Sequence, residues 1–202
     1  MLRWLDFLFP PRSAEEVLRS VSDDAFLALI APRLVTETRP ETVGLLSFGA
    51  PAVRAAIHEA KYHGDTRALR LLATALVTYL RDADEDSRTP VIVPIPLGKT
   101  RRRERGFNQM EEVTKQAAQE LAIVIDAQLL VRTRETASQV SLPRAARLQN
   151  MRGAFSAAHP ADPARTYIVV DDVITTGATL QAAIDALRNA GAEHIVPLAL
   201  AH

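Results

Sequence analysis

The chain contains no cysteine, so disulfides and thiolate-bound metal centres are excluded. Lysine plus arginine and aspartate plus glutamate number 24 each, leaving a formal net charge of zero. Nothing in that balance draws the protein to nucleic acid or membrane, and charge matters only where it clusters. Long apolar runs are missing as well. The opening nine residues, MLRWLDFLF, are too short to span a bilayer and carry no small-residue cleavage site. Of five histidines only His58 and His63 lie close together, without a carboxylate-rich pattern around them, so no metal site is assigned to the side chains directly. Internal repeats and low-complexity tracts are absent. What remains is 202 residues, 48% of them hydrophobic, enough to bury a full core in one domain with a modest extension. A soluble cytoplasmic protein is expected.

Proline punctuates the first forty residues at Pro10, Pro11, Pro32 and Pro40, which suits short broken helices. Residues 1–40 are therefore read as a small N-terminal helical extension or cap, and residues 41–202 as the main domain. Within that domain, residues 43–48 have strand character. Val53, Ala56, Ile57 and Ala60 recur at helical spacing, and Gly64 suits the stop. Leu69, Leu72, Ala73, Leu76 and Leu80 mark a second helix. Residues 91–95 form an unbroken β-branched run, as in a strand covered on both faces. Asn108 and Glu111 have the spacing of a helix cap, and Met110, Val113, Ala117, Ala118 and Leu121 follow on one face. Residues 123–131 are a strand candidate, 132–152 a long polar loop holding at most one helical turn, 167–170 a strand, 179–190 a helix ending at Gly191, and 194–200 a last strand. Such alternation predicts an α/β fold with a mainly parallel twisted sheet flanked by helices.

The segment 167–179, YIVVDDVITTGAT, concentrates the chemistry. An apolar strand delivers two adjacent carboxylates, and a turn of hydroxyls and glycine then opens a helix. Each part suits a sugar phosphate. Thr175, Thr176 and Thr179 offer hydroxyls, Gly177 lets the backbone approach closely, and the free amides around Ala178 meet a phosphate with a favourable dipole. Asp171 and Asp172 stand where they can accept from two ribose hydroxyls. An ordinary strand, turn and N-cap is the simpler alternative, and adjacent acids also occur in phosphoacceptor domains. Neither of these needs the full order of acids, apolar pair, threonines and glycine.

This segment resembles the phosphoribosyl-pyrophosphate motif of type I phosphoribosyltransferases. The chain from about Val43 onward is similar to the ComF family, associated with bacterial competence for DNA uptake. The matching stretches are Lys61-Tyr62 with Gly64-Asp65, Val93 to Pro96, Arg101 to Gln109 ending in RGFNQ, then Gln139, Arg147, Asn150 and Gly153-Ala154-Phe155. The resemblance implies a type I phosphoribosyltransferase-like fold. It also implies 5-phosphoribosyl 1-pyrophosphate as ligand and magnesium as cofactor, carried on ligand oxygens with Asp171 and Asp172 nearby. Two departures stand out. Family members commonly follow a Leu-Phe-Pro-Pro start with a cysteine zinc module; here Leu8-Phe9-Pro10-Pro11 is followed by Arg12-Ser13, and no cysteine exists. Purine-salvage members of the superfamily place a general-base aspartate where Thr175 stands, so that role does not transfer.

Two basic segments complete the candidates. Residues 96–109 read as a loop carrying Lys99, Arg101, Arg102, Arg103 and Arg105, well sited to hold pyrophosphate through arginine's planar fork. The competing readings are a solvated surface loop and a nonspecific nucleic-acid patch. Residues 132–152 supply Arg134, Gln139, Arg147 and Asn150; in the superfamily the corresponding loop closes over the ribose, while from the residues alone a plain surface loop fits as well. Lys61 is singled out by the resemblance only. The expected function is phosphoribosyl transfer to a nitrogen acceptor, and the competing one is a non-catalytic ligand-binding protein acting in DNA uptake. An acceptor base, DNA or competence proteins, and a second copy in a homodimer remain open as partners.

Overall fold

Alternation along the central strands sets the architecture. In the computed structural model, which describes residues 13–83, 88–134 and 144–202, strand β7 (Thr166–Val173) is buried on both faces over its first five residues. Ile168 and Val170 pack into one apolar cluster, and Tyr167 and Val169 into another on the opposite face, as the two-residue period of a strand requires. Five more strands join it: β1 (Ile30–Val35), β2 (Thr42–Leu46), β3 (Pro90–Pro94), β4 (Val124–Ile125) and β8 (His194–Ala201). The six pair in the order β1–β2–β8–β7–β3–β4. Every neighbouring pair is parallel except β1 with β2. The mainly parallel sheet flanked by helices is thus as expected.

One face is covered by α3 (Pro51–His63), α4 (Thr66–Asp82) and α6 (Gln109–Leu121), the other by α8 (Ala178–Asn189). Strands β5 (Leu130–Arg132) and β6 (Phe155–Ala157) form a separate antiparallel pair beside α8. The predicted helix signals hold at two places: Gly64 caps α3 in the left-handed conformation, and Asn108 accepts from the Met110 amide at the start of α6. Asp65, not predicted as a cap, accepts from the Ala68 amide at the start of α4. Glu111, expected to reach back to the cap's backbone, instead accepts from the Asn108 side-chain amide at 3.2 Å.

Four stretches differ from the sequence pattern. Residues 123–131, expected as one strand, divide into β4 and β5 in different sheets, because the Asp126 turn between them breaks the run. Residues expected to be helical before Pro40 include α1 (Ser13–Ser20) and α2 (Asp23–Leu27), but Ile30–Val35 is a strand on the sheet edge; Pro32 is tolerated there because an edge strand can leave one side unpaired. Residues Lys99–Arg105, predicted as loop, form the helix α5 between Gly98 and the left-handed Gly106. Charge alone does not distinguish a loop from a solvated helix, and arginine is a good helix former. Within 132–152, Arg144–Met151 is helical (α7), and residues 135–143, including Gln139, lie outside the described set.

The connections leave the sheet centre in opposite directions. The chain passes from β3 through α5 and α6 to β4 on one side, and from β7 through α8 to β8 on the other. The crevice beyond the carboxyl ends of β3 and β7 is therefore a topological switch point, the usual place for a ligand in an open α/β sheet. Among the described residues no helix is long and apolar enough to cross a membrane.

Candidate functional site

A cleft of about 190 Å³ opens at that switch point. Its floor is the end of β7. The pleat that sends Ile168 and Val170 to one face and Tyr167 and Val169 to the other continues into the two acids, which therefore diverge. Asp172 follows the even residues and meets α3 and α6: Lys61 Nζ lies 2.9 Å from its Oδ1, and Gln109 Nε2 donates to its Oδ2 at 2.7 Å. Asp171 follows the odd residues, accepts from the backbone amide of Asp172 at 2.9 Å, and lies within the electrostatic reach of Arg132. Burial pushes the Asp171 carboxyl up to about 7, and the neighbouring Asp172 charge adds to the rise. The Asp172 amide, Lys61 and Arg132 oppose it.

After β7 the chain turns into α8 through residues 174–177. Gly177 is the N-cap, with φ of +69°. A side chain there would be strained by the backbone. It would also collide, because a Cβ at this position would stand only 2.9 Å from both Glu37 Cβ and Thr38 Cγ2. The turn between β1 and β2 thus backs the loop, and the Arg39 amide donates to Gln181 of α8 at 2.8 Å. Thr175, Thr176, Gly177, Ala178 and Thr179 all line the cleft, as expected. Gly177 has no side chain to cap α8, and apart from a long 3.5 Å bond from the Ala178 amide to Thr176 Oγ1 the helix start is left to face an anion.

The basic wall is more selective than the sequence suggests. Arg101 and Arg105, one helical turn apart on α5, line the cleft. Arg102 turns the other way and pairs with Glu111 at 2.7 Å. Lys99 and Arg103 do not line the cleft. Arg105 donates to Gln109 Oε1 at 3.1 Å while Gln109 Nε2 donates to Asp172. The glutamine amide therefore links the basic wall to the acidic floor. Arg105 also sits over the Tyr62 ring at 4.9 Å, a cation–π distance.

Gly64 accounts for another matched stretch. A Cβ on it would lie 3.2 Å from the Phe107 ring, so the glycine at the end of α3 and the phenylalanine before α6 pack face to face. That contact joins the end of α3 to the segment before α6, the two elements whose Lys61 and Gln109 each reach one oxygen of Asp172. Among the lid candidates, Arg134 donates to the carbonyls of Asn150 and Arg152 at 2.8 and 3.0 Å and does not line the cleft. Arg147 lies on α7, and nothing further is described of its side chain. Sequence reasoning passed over Arg132 and Gln109 as site residues. Gln109 carried a signal, a polar residue buried at the first position of a capped helix. Arg132 carried none beyond its place in a basic stretch.

Comparison with known proteins places the chain in a family. Residues 71–201 match the phosphoribosyl transferase domain family. The chain belongs to that family. It is 36% identical over 131 residues to competence protein F of Haemophilus influenzae, covering 62% of this chain and 57% of that protein. It is 30% identical over 146 residues to DNA utilization protein YhgH of Escherichia coli K12, covering 71% and 64% respectively. The ComF resemblance is borne out, and the chain spans less than two thirds of the length of either relative. A solved hypoxanthine phosphoribosyltransferase from Staphylococcus aureus aligns at 13% identity with a TM-score of 0.40, over 65% of this chain and 61% of that one. So low a likeness adds nothing to the assignment.

Proposed function

We propose that the cleft binds 5-phosphoribosyl 1-pyrophosphate and that the chain transfers its phosphoribosyl group to a nitrogen acceptor. The observation that carries this reading is the convergence of three complementary surfaces on one switch-point crevice. The start of α8 with Thr175 to Thr179 suits the 5-phosphate. Asp171 and Asp172 suit the ribose hydroxyls. Arg101 and Arg105 suit the pyrophosphate.

Magnesium fits the same place, since the carboxylate oxygens of Asp171 and Asp172 are hard donors and the ion keeps several waters beside one or two carboxylates and ligand phosphates. When bound, it would neutralise charge on the pyrophosphate. In the transfer, the acceptor nitrogen's lone pair forms the new bond to the anomeric carbon. The bond from that carbon to pyrophosphate oxygen breaks, and pyrophosphate leaves with the electron pair. The acceptor gives its proton to solvent. No side chain of the cleft is assigned as general base, so rate enhancement rests on positioning and on stabilising the departing charge.

A second reading has one observation behind it, the names of the relatives: one is a competence protein and the other a DNA utilization protein. On that reading the chain keeps the ligand pocket without turnover and serves DNA uptake. Calorimetric titration with the sugar pyrophosphate and magnesium, followed by a pyrophosphate-release assay with a panel of nitrogenous bases, separates the two. Binding with release supports the transferase, and binding without release under every base supports the regulatory reading. No binding at all defeats both.

A further inference from the structure

Glu59 lies on the buried side of α3 among Ala52, Val53, Ala56 and Ala60, and its side chain is completely buried. A carboxylate removed from water has to be matched by positive charge or hydrogen-bond donors. Two imidazoles flank it. His58 Nδ1 is 3.3 Å from Glu59 Oε1, and His63 Nε2 is 3.9 Å from the same oxygen. One ligand atom from each of the three residues lies within 4.8 Å of the others.

We propose that His58, Glu59 and His63 form a site for a zinc-class divalent transition metal, distinct from the cleft. The donor set is two imidazole nitrogens and one carboxylate, a combination suited to zinc and its neighbours and poorly suited to magnesium. With bonds of about 2.0–2.1 Å, adjacent ligands of a tetrahedral zinc ion stand about 3.3 Å apart. The His58–Glu59 separation already has that length, and the other two edges, 3.9 Å from Glu59 to His63 and at most 4.8 Å between the histidines, close by rotation of the partly exposed imidazoles. Glu59, held in the core, is the fixed anchor.

Entry is open, because the His58 and His63 side chains are 51% and 34% exposed. A water completes the fourth position. The rings are not loose: the His58 and Tyr62 centroids are 4.9 Å apart, and those of His58 and His63 are 5.7 Å apart. The site rests on the α3 geometry alone and is independent of what the cleft binds.

The experiment uses the full, untagged chain stripped with chelator and titrated with zinc by calorimetry, with cobalt absorption as the probe of geometry. One zinc per chain is expected, with the strong visible bands of four-coordinate cobalt. His58→Ala and His63→Ala each weaken zinc by more than about tenfold, since even outer-shell changes cost that much, and together they remove stoichiometric binding. Glu59→Gln is expected to do the same. Because Glu59 is buried, its variant can also unfold, and the two exposed histidines keep the test decisive. Three results would overturn the site: no zinc bound at micromolar concentration, undiminished affinity in the double histidine variant, or zinc affinity abolished only in Asp171→Asn with Asp172→Asn.

Discussion

The end of β7 and the helix α5 face each other across the cleft, yet they meet it in different ways. At the end of β7 every motif residue from Asp171 to Thr179 lines the cleft. There the chain runs along the crevice, so residues from both faces of the strand end and from the helix start border it. On α5 only Arg101 and Arg105 line it, because a helix turns its residues through all directions and Arg102 finds Glu111 instead. A contiguous motif on a strand-to-helix turn acts as a block. A charge run on a helix divides into faces. Substitutions on the two sides should therefore differ in size and in which part of a ligand they affect.

The largest effect belongs to the acids. Asp171→Asn with Asp172→Asn should abolish measurable binding of 5-phosphoribosyl 1-pyrophosphate in the presence of magnesium. The charge-assisted hydrogen bonds removed there are worth about 1.5–3 kcal/mol each. Calorimetric titration is the check, with circular dichroism confirming the fold. Unchanged affinity would falsify the site.

Next in size is the inner face of α5. Arg101→Ala should weaken the sugar pyrophosphate by about 1.5–3 kcal/mol and leave ribose 5-phosphate nearly untouched, since the two ligands differ at the anomeric pyrophosphate. Arg105→Ala should do the same but with some loss for ribose 5-phosphate, because Arg105 reaches Asp172 through Gln109. Equal losses for both ligands in Arg101→Ala would show that the arginine does not hold pyrophosphate.

How much of this was legible follows the same division. The strand ends, helix starts and caps were readable because the apolar run of β7, Gly64 and Asn108 each leave a local mark, while the Asp65 cap of α4 was passed over. So was the block from Asp171 to Thr179. The face of α5 was not readable, since its orientation depends on Glu111 nine residues away. Strand β1 was hidden by Pro32, which an edge position tolerates. Arg132 reaches the site only because β5 is carried beside α8 by tertiary packing. Glu59 was passed over although it interrupts an apolar helical face between two histidines; a charged residue at such a position is itself a signal.

The acids should also show in stability, to a smaller extent. Asp171 titrates near 7 when folded, above its ordinary value, so its contribution is fully present below about pH 4. Between there and about 7 the unfolded chain releases its proton first, and native stability falls as pH rises. Asp171→Asn removes that slope. The ligand-free variant should be more stable than the wild type by about 1–2 kcal/mol at pH 8, and the gap should close toward pH 4. Denaturant unfolding at both pH values is the measurement. A gap that stays constant with pH would mean that folding does not raise the Asp171 pKa.

The smallest effect on the ligand, and the one that separates the two functional readings, belongs to the outer face of α5. Arg102 is mostly in solvent, its side chain 55% exposed, and pairs with Glu111; Arg103 is exposed and outside the cleft lining. A surface pair of this kind contributes about 0–1 kcal/mol, and neither group touches the place assigned to pyrophosphate. Arg102→Ala with Arg103→Ala should therefore change affinity for the sugar pyrophosphate by less than about 0.5 kcal/mol. If the outer face serves DNA, the same variant should bind a single-stranded oligonucleotide more weakly and with a flatter salt dependence. The logarithmic slope should fall by about 0.7 for every phosphate no longer neutralised. We expect no such change, because two arginines with one already neutralised by Glu111 make a sparse patch on a chain of zero net charge. Titrating the oligonucleotide at two salt concentrations, with the Arg101→Ala protein as control, decides it: a flattened slope confined to the outer-face variant would move the function of α5 from pyrophosphate toward nucleic acid.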